Sequence, residues 1–373
     1  MLIYFLVLFY WLALYFLGKN AKKSRSNLFF AILPLYLIMA LKSVSVGSDT
    51  ISYYHRYIDA SNILTAIQMI TEPGYNYFSY FFHDILGAPF FVYYAVVAAI
   101  ICYILALFLK YYSDNIYLSL ITYMTIGLFT MSMSGIRQML AISFCTIPLI
   151  VAKARGEAVF SSKKSKRRFF FLGLFCVLLA FSFHNSALVF FPILFMFNIR
   201  LTKRQTIIIV IVATVVSLLL RPVIVALMTM FAFGNRYQQY DFNEGYAMNI
   251  LILLIPIIIG LFCVLISRPE NNDKYYSRYL SLMFIFLALQ IAFNNLALSH
   301  AQISRLGYYF LNSYVILIPY AIKKVALWIR PTVVVAMLSL FLVYFYLGTN
   351  GGTLKIDDYK FFWQEPEYYQ NTV

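Results

Sequence analysis

Charged side chains are scarce in this sequence: they make up only 12% of the 373 residues, whereas 62% are hydrophobic. A soluble domain needs a larger charged share to keep its surface hydrated, so the composition excludes that class and indicates an integral membrane protein. Each crossing of the hydrocarbon core needs about 20 apolar residues, so a dozen crossings use roughly 240 residues. The remainder forms short connections and leaves no room for a separate soluble domain.

Cysteine is rare, and acidic residues are not paired. The four cysteines lie inside apolar runs, without CxxC spacing or a neighbouring histidine (Cys102, Cys145, Cys176, Cys263). This arrangement favours small buried residues over disulfides or metal ligands. Because no pair of acids has the spacing of a cation site, we expect neither a metal nor another cofactor.

The chain lacks the positive segment that precedes the apolar core of a signal peptide. Its first 17 residues are apolar and the first basic residue is Lys19, so we expect a retained first span. The formal charge is +15. Its basic residues occupy short loops between apolar segments, where they set topology, and this argues against a nucleic-acid partner.

Hydropathy predicts an all-α fold: a polytopic integral membrane protein of about 12 transmembrane helices, forming one transmembrane domain over residues 1–373. Two shorter apolar stretches, 75–86 and 223–233, are predicted to lie in the interface or to re-enter the membrane. The predicted spans are 2–18, 28–46, 89–109, 116–133, 137–152, 169–183, 186–199, 205–220, 249–267, 279–298, 307–322 and 332–347.

Basic residues alternate between the loops and orient the chain. Six segments hold 21 of the 29 basic residues, which predicts that they are cytoplasmic. These segments are 19–27, 110–115, 153–168, 200–204, 268–278 and 322–331. The long loop 43–88 and the tail 348–373 fall on the opposite, outer face, so both termini should be outside.

Arginines at span ends on the predicted outer face run against the topology rule. Arg137 is the sharpest case, because it opens a span and the helix dipole disfavours a cation there. An anionic ligand such as phosphate would resolve the conflict, while the alternative is that Arg137 reaches lipid phosphates. Other outer candidates for substrate contacts are Gln138, Arg236, Tyr237, Arg305 and Tyr308.

Two further outer segments carry candidate catalytic groups. His184 interrupts the apolar run 169–197 and marks a hairpin, so it is either a site residue that moves a proton or a satisfied turn residue. The loop 46–89 combines carboxylates, a histidine and tyrosines, which suit a sugar site, although the acids could also cap a turn and open a short helix. The candidates there are Asp49 and Glu72 for catalysis, and Tyr53, His55 and Arg56 for binding.

Several short motifs, in this order, resemble the EpsG family of Wzy-like exopolysaccharide and capsule polymerases. They are Gly47-Ser48-Asp49-Thr50 with Tyr53-Tyr54, Glu72-Pro73-Gly74-Tyr75, Arg137-Gln138, His184-Asn185-Ser186-Ala187-Leu188, Arg236-Tyr237 and Ser304-Arg305-Leu306-Gly307-Tyr308-Tyr309. Asn185 departs from the pattern, in which a basic residue commonly follows the histidine.

The resemblance implies a multi-span, GT-C-like glycosyltransferase that joins repeat units carried on undecaprenyl pyrophosphate at the outer face of the bacterial cytoplasmic membrane. Its implied partners are the lipid-linked oligosaccharide donor and acceptor, the lipid bilayer, a chain-length regulator and a flippase. The residue types fit this chemistry, since arginines can stabilise a leaving pyrophosphate and a carboxylate or histidine can take the hydroxyl proton.

Two other functions stay open at this point. A ligase of the O-antigen type would use the same donor and the same arginines. A flippase or exporter of lipid-linked oligosaccharide would not be an enzyme, and it would place polar groups deep in the bundle. Mid-span polar residues are few here, with Gln290 the clearest, which favours the polymerase.

Overall fold

The computed structural model describes residues 1–18, 25–59, 72–230, 250–270, 273–297, 301–349 and 354–368. It is all-helical, with 81% helix and no strand among the described residues. The chain divides into two compact units, Met1–Leu194 with Gly348–Val373, and Phe195–Leu347. We call them the first and the second unit.

The first unit contains helices whose lengths follow the apolar runs of the sequence. Its shorter connections are a π-helical turn, Phe81–Ile85, and two 3-10 helices, Gly156–Phe160 and Asn185–Phe195. The α-helices are α1 (Leu2–Phe16), α2 (Arg25–Ala40), α3 (Thr50–Ile58), α4 (Pro73–Tyr80), α5 (Phe90–Tyr112), α6 (Ile116–Thr125), α7 (Leu128–Ser134), α8 (Ile136–Arg155) and α9 (Lys163–Phe183).

An antiparallel hairpin of α8 and α9 is the frame of the first unit. Ser162 caps α9 by accepting a hydrogen bond from the Ser165 amide at 3.1 Å. After α9 the chain turns back, because Leu194 lies 2.6 Å from the point that a Cβ on Gly173 would occupy. The start of α8 and the end of α9 therefore lie at the same end of the hairpin.

Segments predicted to lie on opposite membrane faces lie at opposite ends of the first unit. Tyr112, at the end of α5, donates a hydrogen bond to Leu149 O at 3.0 Å, and its ring lies 6.0 Å from Lys153 Nζ. The predicted cytoplasmic loops 110–115 and 153–168 therefore share one end. The predicted outer segments 43–58 and 354–368 meet at the other end, where Ser43 N donates to Lys360 O at 2.8 Å.

Five described helices are long and apolar enough to cross a membrane. They are Phe90–Tyr112, Ile136–Phe160, Lys203–Val223, Arg278–Leu296 and Arg330–Thr349. A sixth span is formed if α6 and α7 are counted together. These helices make the chain a membrane protein, whereas the number of 12 spans and the GT-C-like arrangement stay predictions.

Two predicted spans differ in the structure. The predicted span 116–133 is bent by 59° between α6 and α7, where Gly127 adopts φ +105°. The predicted span 186–199 is an 11-residue 3-10 helix, Asn185–Phe195, whose Pro192 lacks the amide hydrogen needed by a regular α-helix. Hydropathy reports the apolar content of such runs but not their backbone conformation.

The second unit consists of α10 (Lys203–Met230), α11 (Ile250–Ile266), α12 (Arg278–Ala297), α13 (Ala301–Gly307), α14 (Asn312–Lys324) and α15 (Arg330–Thr349). The predicted separate stretch 223–233 is wrong in its first part, because α10 continues through Pro222 to Met230. Gln290, the mid-span amide, lies 3.0 Å from Tyr314 Oη on α14. A neighbouring helix therefore satisfies this polar group.

Candidate functional site

Glu72 stands at the start of α4, with its side chain only 6% exposed. Its backbone is in the left-handed region at φ 63° and ψ 58°, an uncommon conformation for a residue with a side chain. Pro73 follows at the first helical turn, as the sequence indicates for a short helix. Gly74 permits the close approach to α9, since a Cβ there would lie 2.2 Å from Ser182 Oγ. These constraints fix where the Glu72 carboxylate points.

Arg137, in the first turn of α8, donates a hydrogen bond from Nη1 to Glu72 Oε2. Its guanidinium lies 5.1 Å from the centre of the Tyr53 ring and 5.6 Å from that of Tyr75. Both rings are buried and contribute cation–π attraction. The carboxylate of Glu72 thus offsets the unfavourable position of a cation at a helix N-terminus.

His184 ends α9, and its Nδ1 lies 2.5 Å from Glu72 Oε1. An ionised carboxylate can only accept hydrogen bonds, so Nδ1 carries a proton and donates a hydrogen bond to Glu72. In the neutral form of the ring, the other nitrogen, Nε2, is then a hydrogen-bond acceptor. The His184 side chain is 17% exposed, so its ring is only partly shielded.

The charges around Glu72 keep it ionised. Burial by itself raises the pKa of the Glu72 carboxyl, but the hydrogen bond from His184 and the charge of Arg137 outweigh burial and lower this pKa below its ordinary value. Arg56 also lowers it electrostatically. Among the described residues, Arg56 Nη1 and Arg137 Nε are buried without a hydrogen-bond partner. With two arginines and one carboxylate, the cluster carries a net positive charge and can attract an anion.

A buried lysine joins the outer loop to the start of α8. Lys42 Nζ donates to Val46 O, and to Thr50 Oγ1 and Met133 O at 2.7 Å each, with the Tyr94 ring at 4.5 Å. Three acceptors match the three donors of an ammonium group, because a neutral amine has only two N–H bonds. Ser48 Oγ and Ser134 Oγ are 2.8 Å apart and add a second link two residues before Ile136. We call these contacts the Lys42 junction.

Comparison with known proteins identifies the family. A model of the EpsG family matches residues 25–355. The chain belongs to the EpsG family. This is a family of Wzy-like exopolysaccharide polymerases, which implies an activity of the glycosyltransferase type. Neither the curated proteins nor the solved structures give a significant match.

The structure of this EpsG-family chain brings five of its predicted site residues to one place: Tyr53, Arg56, Glu72, Arg137 and His184. Glu72 is the centre of the group, which we call the Glu72 cluster. Its members come from α3, α4, α8 and the end of α9, so they are far apart in the sequence. Whether they carry the activity stays a prediction.

Three other predicted residues lie around this group in the first unit. Asp49 precedes α3, where its backbone amide donates to Ser134 Oγ at 3.3 Å, and its charge acts on Lys42. His55 lies on the exposed side of α3, with its ring 5.7 Å from that of Tyr54. Gln138 follows Arg137 on α8 and is buried.

The remaining predicted residues of this EpsG-family member are not part of the first unit. Arg305 lies in the last turn of α13 and Tyr308 begins the following 3-10 turn, and both are partly exposed. Arg236 and Tyr237 lie outside the described residues. Their predicted substrate contacts therefore stay predictions.

Sequence reasoning left Tyr75 and Lys42 out of the candidate site. The sequence could have indicated Tyr75, because it is the last residue of the motif that begins at Glu72. In the structure its ring centre lies 5.8 Å from that of Tyr53. The signal for Lys42 was its position on the face where the topology rule disfavours cations. Among the described residues, no three His, Cys, Asp or Glu side chains form a group that could hold a metal ion.

Proposed function

We propose that this chain is a polysaccharide polymerase that joins undecaprenyl-pyrophosphate-linked oligosaccharide repeat units at the outer face of the bacterial cytoplasmic membrane. The observation that carries the proposal is the Glu72 cluster, in which one carboxylate holds both Arg137 and His184. Family membership and the apolar helices support the same assignment.

His184 is the general base in this proposal. Glu72 fixes the ring with the proton on Nδ1, so the lone pair on Nε2 is available for the hydroxyl of the acceptor sugar. Glu72 also stabilises the imidazolium that forms when His184 takes that proton. Since the pKa of Glu72 is lowered, it is itself a weak base and acts as the orienting carboxylate.

The bond changes balance without a further reagent. The acceptor oxygen loses its proton to His184 Nε2 and forms the new bond to the anomeric carbon of the donor. The bond between this carbon and the pyrophosphate oxygen breaks, and its electron pair leaves with undecaprenyl pyrophosphate. Arg56 and Arg137 bind the pyrophosphate and stabilise its growing negative charge. Their Nη1 and Nε atoms, respectively, have no hydrogen-bond partner among the described residues and can donate to it.

The tyrosines at the cluster have a positioning role. Tyr53 and Tyr75 are 3% and 0% exposed, so their faces are occupied by Arg137 and are not open to a sugar ring. They hold the guanidinium in place and shield it from water, which strengthens its attraction for phosphate. The partners of this reaction are the lipid-linked donor and acceptor in the bilayer, a flippase that supplies them and a chain-length regulator.

Gene deletion tests the proposal. Gel analysis of lipid-linked and surface glycans from the deletion strain should show single repeat units outside, with polymer restored by the wild-type gene. A strain with no repeat units on its surface would instead identify a flippase or exporter. Full-length polymer that stays on its lipid carrier would identify a ligase of the O-antigen type, and either result would overturn the proposal.

A further inference from the structure

A cavity of about 320 Å³ lies at the end of the α8–α9 hairpin that is opposite to the Glu72 cluster. Its polar side carries Arg155 from the last turn of α8, and Lys164 and Arg168 from the first turns of α9. Its apolar side is formed by Val151, Phe169 and Leu172. One wall therefore suits an anion and the other a hydrocarbon group.

The three cations at this cavity have no carboxylate partner among the described residues. The first turn of α9 contains no acidic residue. Glu157, in the connecting 3-10 helix, does not line the cavity. All three cations are exposed, so water screens their mutual repulsion, but an anion placed between them would be attracted by all three.

The depth of the cavity indicates the source of this anion. Arg155 follows Arg137 by 18 residues on α8, which places the two about 27 Å apart along the helix axis. This length is close to the thickness of a hydrocarbon core. With the Glu72 cluster at one membrane surface, this separation would put the cavity at headgroup depth on the opposite face, where phospholipid phosphates and glycerol backbones are the most abundant ligands.

We propose that this cavity binds an anionic phospholipid of the leaflet opposite to the Glu72 cluster. The lipid phosphodiester contacts Arg155, Lys164 and Arg168, and its glycerol and upper acyl carbons pack against Val151, Phe169 and Leu172. The shared chemistry is a phosphate group, which a soluble phosphorylated compound would also present. The apolar wall and the depth favour the lipid.

Lipid retention by the purified full-length protein tests the proposal. The protein is placed in nanodiscs containing phosphatidylglycerol and phosphatidylcholine, extracted into detergent, and its bound lipids are counted by native mass spectrometry. The wild type should retain phosphatidylglycerol in preference to phosphatidylcholine. The preference should fall about tenfold in the Arg155→Gln/Arg168→Gln variant, because this variant removes two of the three cations that contact the lipid phosphate in the proposed site.

The same loop supplies a matched control. Lys166 and Arg167 are exposed and do not line the cavity, so Lys166→Gln/Arg167→Gln removes the same charge and should retain the wild-type preference. Val151→Trp fills the cavity without a change of charge and should lower retention. Equal losses in both double variants, or no loss in the Arg155/Arg168 variant, would overturn the site.

A titration with a soluble phosphate compound distinguishes the two possible sources of the phosphate group. Inorganic pyrophosphate is titrated onto the delipidated protein and, in parallel, onto the protein in phosphatidylglycerol nanodiscs. If the cavity binds lipid, pyrophosphate should bind weakly to the delipidated protein and should not bind to the protein in phosphatidylglycerol nanodiscs. Saturable pyrophosphate binding that depends on Arg155 and Arg168 and persists in the nanodiscs would assign the cavity to a soluble phosphate and overturn the lipid assignment.

Discussion

At the scale of single residues, the Glu72 carboxylate uses one oxygen for Arg137 and the other for His184. A group that serves two partners costs more to remove than a surface ion pair, because each partner is left without its counterpart. The left-handed backbone at Glu72 adds a conformational cost that the surrounding packing must offset. Strain of this kind concentrates at functional sites, which agrees with the proposed role.

Glu72→Gln should lower the free energy of unfolding by about 3 kcal/mol, since it leaves the half-buried Arg137 without its counter-charge. Chemical denaturation in detergent micelles measures this loss. The Glu72→Gln/Arg137→Gln variant should lose less than the sum of the two single variants, because the uncompensated charge is gone. Strictly additive losses would show that the two side chains do not interact in the membrane protein.

The pH dependence follows from the lowered pKa of Glu72. A carboxyl whose folded-state pKa lies below its unfolded value contributes stability that is fully present above the unfolded value and is lost as pH falls through the folded value. The stability difference between wild type and Glu72→Gln should therefore be constant above about pH 5 and shrink in more acidic solution. A difference that grows on acidification would contradict the ion pair.

His184→Asn should abolish polymer while the protein inserts at normal abundance, because Asn keeps a polar residue at the end of α9 but cannot accept the hydroxyl proton. Surface-glycan gels and immunoblots give the two readouts. His83→Asn is the matched control and should keep full-length polymer. His83 lies on the π-helical turn, where its ring is 5.1 Å from that of Tyr57, and it is not a member of the Glu72 cluster. Full-length polymer from the His184→Asn strain would show that His184 is only a turn residue and not the general base.

At the scale of elements, the Lys42 junction sets where α8 begins. Gly47 is required in it, because its φ is +98° and an added Cβ would lie 2.4 Å from Met133 O. The tail strengthens the same loop, since Gly47 N donates to Lys355 O and Ser48 N donates to Leu354 O, at 2.8 and 2.9 Å. The position of Arg137, on the second residue of α8, therefore depends on contacts made by three separate segments.

Gly47→Ala should lower stability by about 2 kcal/mol more than Gly87→Ala, and polymer yield should fall with it. Gly87 has φ +58° but no atom within 4 Å of an added Cβ, so this control carries backbone strain without the clash. Thermal unfolding in micelles compares the two variants. If both lose the same stability, the close approach to Met133 is not part of the native structure.

At the scale of the whole molecule, the two ends of the α8–α9 hairpin carry different chemistry and lie about 27 Å apart along α8. The Glu72 cluster lies at one end, and the segment 153–168, with seven basic residues, lies at the other. The topology rule predicts that the basic end is cytoplasmic and that the Glu72 cluster is outside. This orientation is the premise of the proposed function.

Cysteine labelling tests the orientation. The four native cysteines are buried, so they give little background, and Ser52 and Ser161 are exposed on the two sides. A membrane-impermeant maleimide should label Ser52→Cys in intact cells, and should label Ser161→Cys only after permeabilisation. Labelling of Ser161→Cys in intact cells would reverse the topology and remove the outer site.

Hydropathy and charge are enough to predict that this protein spans a membrane, that it is helical, and that cations at the predicted outer span ends need partners. These properties follow from local composition, because hydropathy and charge act on each segment separately. The motifs also indicated Glu72, Arg137 and His184 as candidates. They did not indicate that the three side chains contact each other.

The contacts of Glu72 with both other residues emerge only from the fold, since Glu72 lies 65 residues before Arg137 and 112 before His184. Such pairing depends on how α4, α8 and α9 pack, and apolar runs of similar character do not specify which helix ends meet. The burial of Lys42 belongs to the same class, because one of its acceptors, Met133 O, lies 91 residues further along the chain. Both features depend on hydrogen bonds between distant segments, which no local pattern encodes.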